Sequence, residues 1–189
     1  MDLQVAERLM TADELLTLDM DDHMKVELVQ GVLLTMPPAS TKHSMLSQFV
    51  AFLIQLHDRD HQLGGRVTGE QGGYLLSSNP DTVRAPDVGY ICKVRLGLHR
   101  EGPYFPAAPD LAVEIVSGES ASELQEKIDE YFAHGARLVW AFFPKTRTIH
   151  VYTSATNIHI LKAGDTLNGG GVLPGFSVPV SDIFAVLEK

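Results

Sequence analysis

The sequence predicts an α/β fold in which a central mixed β-sheet is flanked by α-helices, with residues 1–189 forming a single domain. Three observations lead there. The stretch Ala108–Trp140 reads as an apolar strand over Leu111–Val116, a Ser/Gly turn, an amphipathic helix from about Ser120 to His134, a stop at Gly135 and a second apolar strand. Ser40 to about Asp58 carries Met45, Leu46, Phe49, Val50, Phe52, Leu53 and Leu56 at three- and four-residue spacing, the period of a long helix. Around these helices lie short β-rich runs bounded by turn residues, and a chain of 189 residues is long enough to bury about 70% of its unfolded surface in one core.

Taken in order, Thr11 and Glu14 have the spacing of a capping box and start a short helix through about Leu18. Lys25–Gln30 and Val32–Met36 form a hairpin joined at Gln30-Gly31, closed by Pro37 and Pro38. Glu27 alternates with Val26 and Leu28, which by itself puts it on the solvent side of an edge strand. Ser40 is placed to cap the long helix, and His43 reads as a helix-start histidine with a backbone partner rather than as a metal ligand. His57 and His61 straddle the end of that helix and so do not make a zinc-type pair on one face. Strands follow near Arg66–Thr68, Gly73–Leu76 and Val88–Ile91, with a turn over Ser77–Asp81. Lys93–Pro109 is the least structured segment; its Lys93, Arg95, His99 and Arg100 gather positive charge, which fits an ordinary solvated loop first and a mobile loop that touches substrate second. After the second apolar strand come a turn at Pro144–Arg147, strands at Thr148–Thr153, Ile158–Leu161 and Gly175–Val180, and a last helix from Ser181-Asp182. Gly169-Gly170-Gly171 precedes no helix and lacks a Walker lysine, so it is a turn and not a phosphate cradle.

Composition narrows the function. No window approaches the roughly 20 apolar residues of a membrane span, and the N-terminal residues lack the basic and then apolar order of a secretory signal, so a cytoplasmic protein is expected. A single cysteine, Cys92, excludes an internal disulfide and a cysteine-based zinc site. The net charge of -9 weighs against non-specific nucleic-acid binding through a basic patch, although acids that hold a cation contribute to the same total.

The sharpest chemical signal is Glu114, an acid in the middle of the apolar strand Leu111–Val116, where an ionised carboxylate is costly without cations or donors. Asp87 echoes it at the mouth of Val88–Ile91. Two strand-borne carboxylates and a backbone carbonyl suit Mg²⁺, which prefers oxygen ligands and keeps several waters; such a site hydrolyses phosphodiesters. Lys127, on the helix after the Glu114 strand, is long enough to return its ammonium to the carboxylates, or else it is an exposed cation paired with Glu123 or Glu130. Spacing alone leaves both open. A serine nucleophile in Ser117–Ser122 is disfavoured, because Ser122 stands where a nucleophile elbow needs its second glycine and Ser120 is explained as a helix cap.

An ordered set of motifs then adds a resemblance. The ELVQGVL hairpin, the PPAS turn before His43, APDVGYI, PDLAVEIVS, the helix with Glu126, Lys127 and Tyr131, Gly135, Trp140, the TIHVY strand and LPGFSVPVSDIF resemble, over nearly the whole length, the bacterial family of restriction-endonuclease-like proteins in the PD-(D/E)XK nuclease superfamily. The resemblance implies a restriction-endonuclease-like core. It also implies a Mg²⁺-dependent endonuclease acting on DNA, with Mn²⁺ as an alternative metal and a homodimer as the assembly. Carried over by position, Asp87, Glu114 and the main chain of Ile115 are the metal ligands, Lys127 is the migrated lysine, and Glu27 is the early glutamate beside them. Departures are SGES in place of the usual SPST, Glu123 in place of aspartate, and VEL in place of YEL. The rival reading is a catalytically inactive nuclease-fold module that binds a protein or a nucleic acid.

Overall fold

Local chemistry sets the first elements of the computed structural model, which describes residues 8–19, 24–98 and 102–188. Helix α1 (Ala12–Leu16) starts where Thr11 accepts from the Glu14 amide and Glu14 accepts from the Thr11 amide. Strand β1 (Lys25–Val29) returns as β2 (Val32–Met36) through Gln30 and Gly31, whose φ angles of 49° and 78° give the left-handed turn that matches hairpin twist. Helix α2 (Thr41–Asp60) is capped by Ser40, whose hydroxyl accepts from the His43 amide. Strands β3 (Arg66–Gly69), β4 (Tyr74–Ser77), β5 (Thr82–Arg84) and β6 (Val88–Ile91) follow. Then come β7 (Leu111–Ile115), α3 (Ala121–Ala133), β8 (Leu138–Phe143), β9 (Thr148–Ser154), β10 (Asn157–Leu161), β11 (Thr166–Asn168), β12 (Ser177–Pro179) and α4 (Val180–Phe184).

The main sheet has six strands in the order β10-β9-β8-β7-β6-β3. Strands β7 and β8, joined through α3, run parallel and the other pairs antiparallel, so the sheet is mixed as expected. Its two faces are covered by different helices. Leu111, Val113 and Ile115 of β7 pack with Leu46, Val50 and Ile54 of α2 and with Ile183 and Phe184 of α4. Ala112 lies on the opposite face with Leu124, Ile128 and Tyr131 of α3. This is the period-two alternation of a strand buried on both sides. A second sheet, ordered β2-β1-β5-β4, forms a smaller core with α1 through Leu28, Val83, Ala12 and Leu15. It approaches the main sheet closely at Gly89, where a Cβ would meet the Tyr74 hydroxyl at 2.1 Å.

Some expectations shift. Apolar residues wrap more than half of α2, but one face meets the sheet, so Met45 and Phe52 remain 42% and 54% exposed. Strand β5 was not foreseen, and the strand expected over Gly175–Val180 shortens to Ser177–Pro179 because α4 begins at Val180. Lys93–Leu98 is a 3₁₀ helix and not a loop; His99 and Arg100 lie outside the described residues. Among the described residues no helix is long and apolar enough to cross a membrane.

Candidate active site

The β6–β7 register pairs Val88 with Val113 and Gly89 with Ala112, and one step further along the same register sets Asp87 opposite Glu114. Asp87 closes that end of the ladder with its side chain, accepting the Ile115 amide on Oδ2 at 2.7 Å. Its Oδ1 accepts from Lys25 Nζ at 2.9 Å and lies 3.1 Å from His43 Nε2, out of line for a hydrogen bond. Glu114 follows the alternation of β7 onto the α3 face. There Tyr131 donates to Oε1 at 2.6 Å and Lys127 Nζ stands 3.5 Å from Oε2. Lys127 and Tyr131 reach the same carboxylate because residues four apart share one face of a helix.

Glu27 enters from the second sheet. It is 1% exposed, accepts Arg84 Nη1 on Oε2 at 2.8 Å and the Ala85 amide on Oε1 at 3.0 Å, and lies 4.0 Å from Lys127 Nζ. Arg84 Nε also donates to Glu130 at 2.6 Å. The innermost charges are therefore Glu27, Asp87 and Glu114 against Lys25, Arg84 and Lys127.

Balance in number hides imbalance in place. Burial pushes the Glu114 carboxyl up; the attraction of Lys127 does not cancel that, and the charge of Asp87 adds to it. Asp87 goes the opposite way: burial opposes its charge, but His43, Lys25 and the Ile115 amide hold it well below the usual carboxylate range. For Lys127 burial works against the ammonium, yet Glu114 and Glu27 outweigh it and keep the group protonated. Neighbouring carboxyls driven apart in this way mark an unevenly compensated site. A divalent cation fits this donor set. His43, Glu70 and Asp87 each offer a ligand atom, all within 4.8 Å of one another.

A family model described as "Putative restriction endonuclease" matches residues 12–181. The chain belongs to that family. A crystal structure described as a putative nuclease of DUF820 from Anabaena variabilis shares the fold. The TM-score is 0.80 at 21% identity, and the match covers 94% of this chain and 99% of the other. Among curated proteins none matches.

In this member of the family the fold gathers Asp87, Glu114, Lys127 and Glu27 into one buried cluster. Two simpler alternatives fall. Glu27 is only 1% exposed, so it is not on a solvent face, and β1 lies between β2 and β5 rather than at an edge. Lys127 pairs with Glu114 and Glu27 rather than with Glu123 or Glu130. The reading of His43 is also corrected: its backbone amide serves the Ser40 cap, while its Nε2 is buried with no hydrogen-bond partner beside Asp87. Arg95 is not free for a ligand, since it donates to the carbonyls of Gly135 (3.1 Å) and Ala108 (2.9 Å) and pairs with buried Asp110 at 3.4 Å. Ser120 is committed to capping, its hydroxyl accepting from the Glu123 amide.

Sequence reasoning missed Lys25, Arg84 and Glu70 and gave Tyr131 no role. Lys25 had a signal, since it stands two residues before Glu27 and so on the same side of β1. Arg84 and Glu70 had none, lying in a short strand and a polar turn.

Proposed function

We propose that the chain is a metal-dependent endonuclease that hydrolyses phosphodiester bonds in DNA. Asp87, Glu114 and the main-chain carbonyl of Ile115 would hold Mg²⁺, or Mn²⁺ in its place. When bound, the cation supplies Lewis-acid polarisation of the phosphodiester and a more acidic water. The chain's own groups do the rest. The Ile115 amide fixes the Asp87 carboxylate, and Tyr131 orients Glu114. Glu27, itself fixed by Arg84 and the Ala85 amide, helps hold Lys127 where it meets Glu114.

Lys127 carries the proposal. A buried ammonium kept charged by two acids is a preorganised donor for negative charge that develops on a phosphoryl group in the transition state. Because its proton is held firmly, it acts as an electrostatic stabiliser and not as a general base. A homodimer belongs to this reading, since cutting a duplex requires two strands to be reached.

The test is cleavage of plasmid, linear duplex and single-stranded DNA across a Mg²⁺ and Mn²⁺ titration, with chelator and with Glu114→Gln as controls. Cleavage that needs the cation and disappears in Glu114→Gln supports the proposal; cleavage indifferent to chelator refutes it. The net charge of -9 favours a second reading, a nuclease-fold binding module. That reading requires DNA or protein binding with no cleavage under any divalent cation.

A further inference from the structure

Two side chains on the far side of Asp87 from its contact with the Ile115 amide, His43 and Glu70, take no part in the reading above as it stands. His43 comes from the first turn of α2, Glu70 from the turn after β3, and Asp87 from the start of β6, yet their ligand atoms lie within 4.8 Å of one another. His43 Nε2 is buried and lies 3.1 Å from Asp87 Oδ1, an ion pair when the imidazole is protonated; the neutral ring offers the same nitrogen as a ligand. Glu70 is half-buried and makes no hydrogen bond or ion pair with any described residue. Native structures rarely leave a buried polar atom without a partner, so this nitrogen either carries a proton toward Asp87 or binds a cation. Lys25 shows that the neighbouring Asp87 oxygen attracts a cation, for its ammonium already donates to it at 2.9 Å.

We propose that His43, Glu70 and Asp87 form a cation position of their own, beside the one between Asp87 and Glu114, and that the His43 imidazole tunes it to a first-row divalent transition ion such as Mn²⁺. The proposal rests on the metal-dependent reading above and names the cation class that reading leaves open. Asp87 is the shared ligand, one oxygen toward the Ile115 amide and the other toward His43. The two positions differ in chemistry. Glu114 and the Ile115 carbonyl offer oxygen alone, which suits Mg²⁺, whereas the His43 position adds an imidazole nitrogen, which Mg²⁺ accepts poorly and transition ions accept well. Occupation there would compete with Lys25 for Asp87.

The experiment measures Mn²⁺ binding to the full chain by electron paramagnetic resonance of the free ion, with Mg²⁺ as competitor, in wild type, His43→Ala, Glu70→Gln and Glu114→Gln. Expected are a preference of wild type for Mn²⁺ over Mg²⁺ and a loss of Mn²⁺ affinity of at least about tenfold in His43→Ala, since losing even an outer-shell partner costs that much. The preference for Mn²⁺ should fall with it. Glu70→Gln, which keeps size and sits in a turn, should lose Mn²⁺ affinity without unfolding, and thermal melts check both variants. In wild type, substoichiometric Mn²⁺ should broaden the His43 imidazole proton resonances first among the histidines. Unchanged Mn²⁺ affinity in His43→Ala and Glu70→Gln, with loss confined to Glu114→Gln, overturns the inference and leaves the nuclease reading standing. Equal affinity of wild type for both ions overturns the tuning. Failure of wild type to bind any divalent cation removes the nuclease reading and this inference with it.

Discussion

Lys127→Met keeps the aliphatic stem of the side chain and removes the ammonium, which stands 3.5 Å from Glu114 Oε2 and 4.0 Å from Glu27 Oε2. At an effective dielectric constant of about 20, each contact is worth about 4 to 5 kcal/mol of gross attraction, much of it offset by the cost of burying the ions. Without the ammonium, Glu27 keeps Arg84 and the Ala85 amide, but Glu114 keeps Tyr131 and the attraction of Lys25, with which it forms no ion pair. Glu114, already pushed up by burial, then takes a proton. Protonating an ordinary carboxyl at pH 7 costs about 4 kcal/mol, so that step caps the damage, and because the wild type already bears part of it the net loss of stability should stay below about 4 kcal/mol at neutral pH. The sign of its pH dependence follows. A carboxyl whose pKa is higher in the folded than in the unfolded protein gives the folded state the extra proton, so stability falls as pH rises. The deficit of Lys127→Met should be small below the ordinary glutamate value of 4.5, grow with pH, and level off above the folded-state pKa. Urea denaturation over a pH series measures it. On the nuclease reading, turnover should also drop about 10² to 10³-fold with DNA affinity little changed, and Lys127→Arg should not restore it, because a wide planar group replaces a compact ammonium. A variant with wild-type stability at every pH and wild-type cleavage would refute the whole chain of reasoning.

Three further outcomes are expected. Glu114→Gln removes the under-compensated charge, so the metal-free melting temperature should hold or rise while the stabilisation by added Mg²⁺ disappears; a lower metal-free melting temperature would contradict the assigned imbalance. Arg84→Met strips the partner from Glu27 at 2.8 Å and from Glu130 at 2.6 Å, and should cost about 3 to 5 kcal/mol by chemical denaturation, so a loss below about 1 kcal/mol would show the pairs to be dispensable. Burial and the nearby Asp110 push the Cys92 thiol up to about 11 from an ordinary value of 9.0, so alkylation of the native protein should stay slow at pH 8 and accelerate toward pH 11. Labelling at pH 8 as fast as a free cysteine would contradict it.

Much of the scaffold was legible because it is coded over a few residues. Thr11 with Glu14, Gln30 with Gly31, Ser40 before α2 and Ser120 before α3 each fix a cap or turn through local hydrogen bonds or backbone preference. Asp87 and Glu114 were legible for a different reason: an acid inside an apolar run announces that something distant must answer its charge. What answers could not be read. Lys25 and Asp87 are 62 residues apart, Arg84 and Glu27 57 apart, and neither spacing has a period to betray it. His43 misled because its backbone does what a helix-start residue does, while its ring faces the other way for a tertiary reason. Arg95 misled in the opposite sense, since a basic residue among glycines and prolines looks free until Asp110 and the Ala108 carbonyl claim it.

The cluster at the junction of the two sheets is an expensive way to hold them together. Apolar residues of similar volume would pack the same space at equal or better stability, because each buried ion surrenders hydration that its partner only partly returns. The second sheet already has apolar means of attachment, with Tyr74 laid against Gly89 and Phe105. Charges retained where packing alone would serve are therefore better explained by chemistry than by architecture. The location of the shortfall says which chemistry. Glu27 is over-supplied, with Arg84, Lys127 and the Ala85 amide, and burial notwithstanding its carboxyl is held below the usual range. Glu114 is under-supplied, whereas Asp87 is held by the Ile115 amide, Lys25 and His43. On the metal-dependent reading, a small cation bound to carboxylate oxygen would supply the positive charge that Lys127 and Lys25 leave short at Glu114.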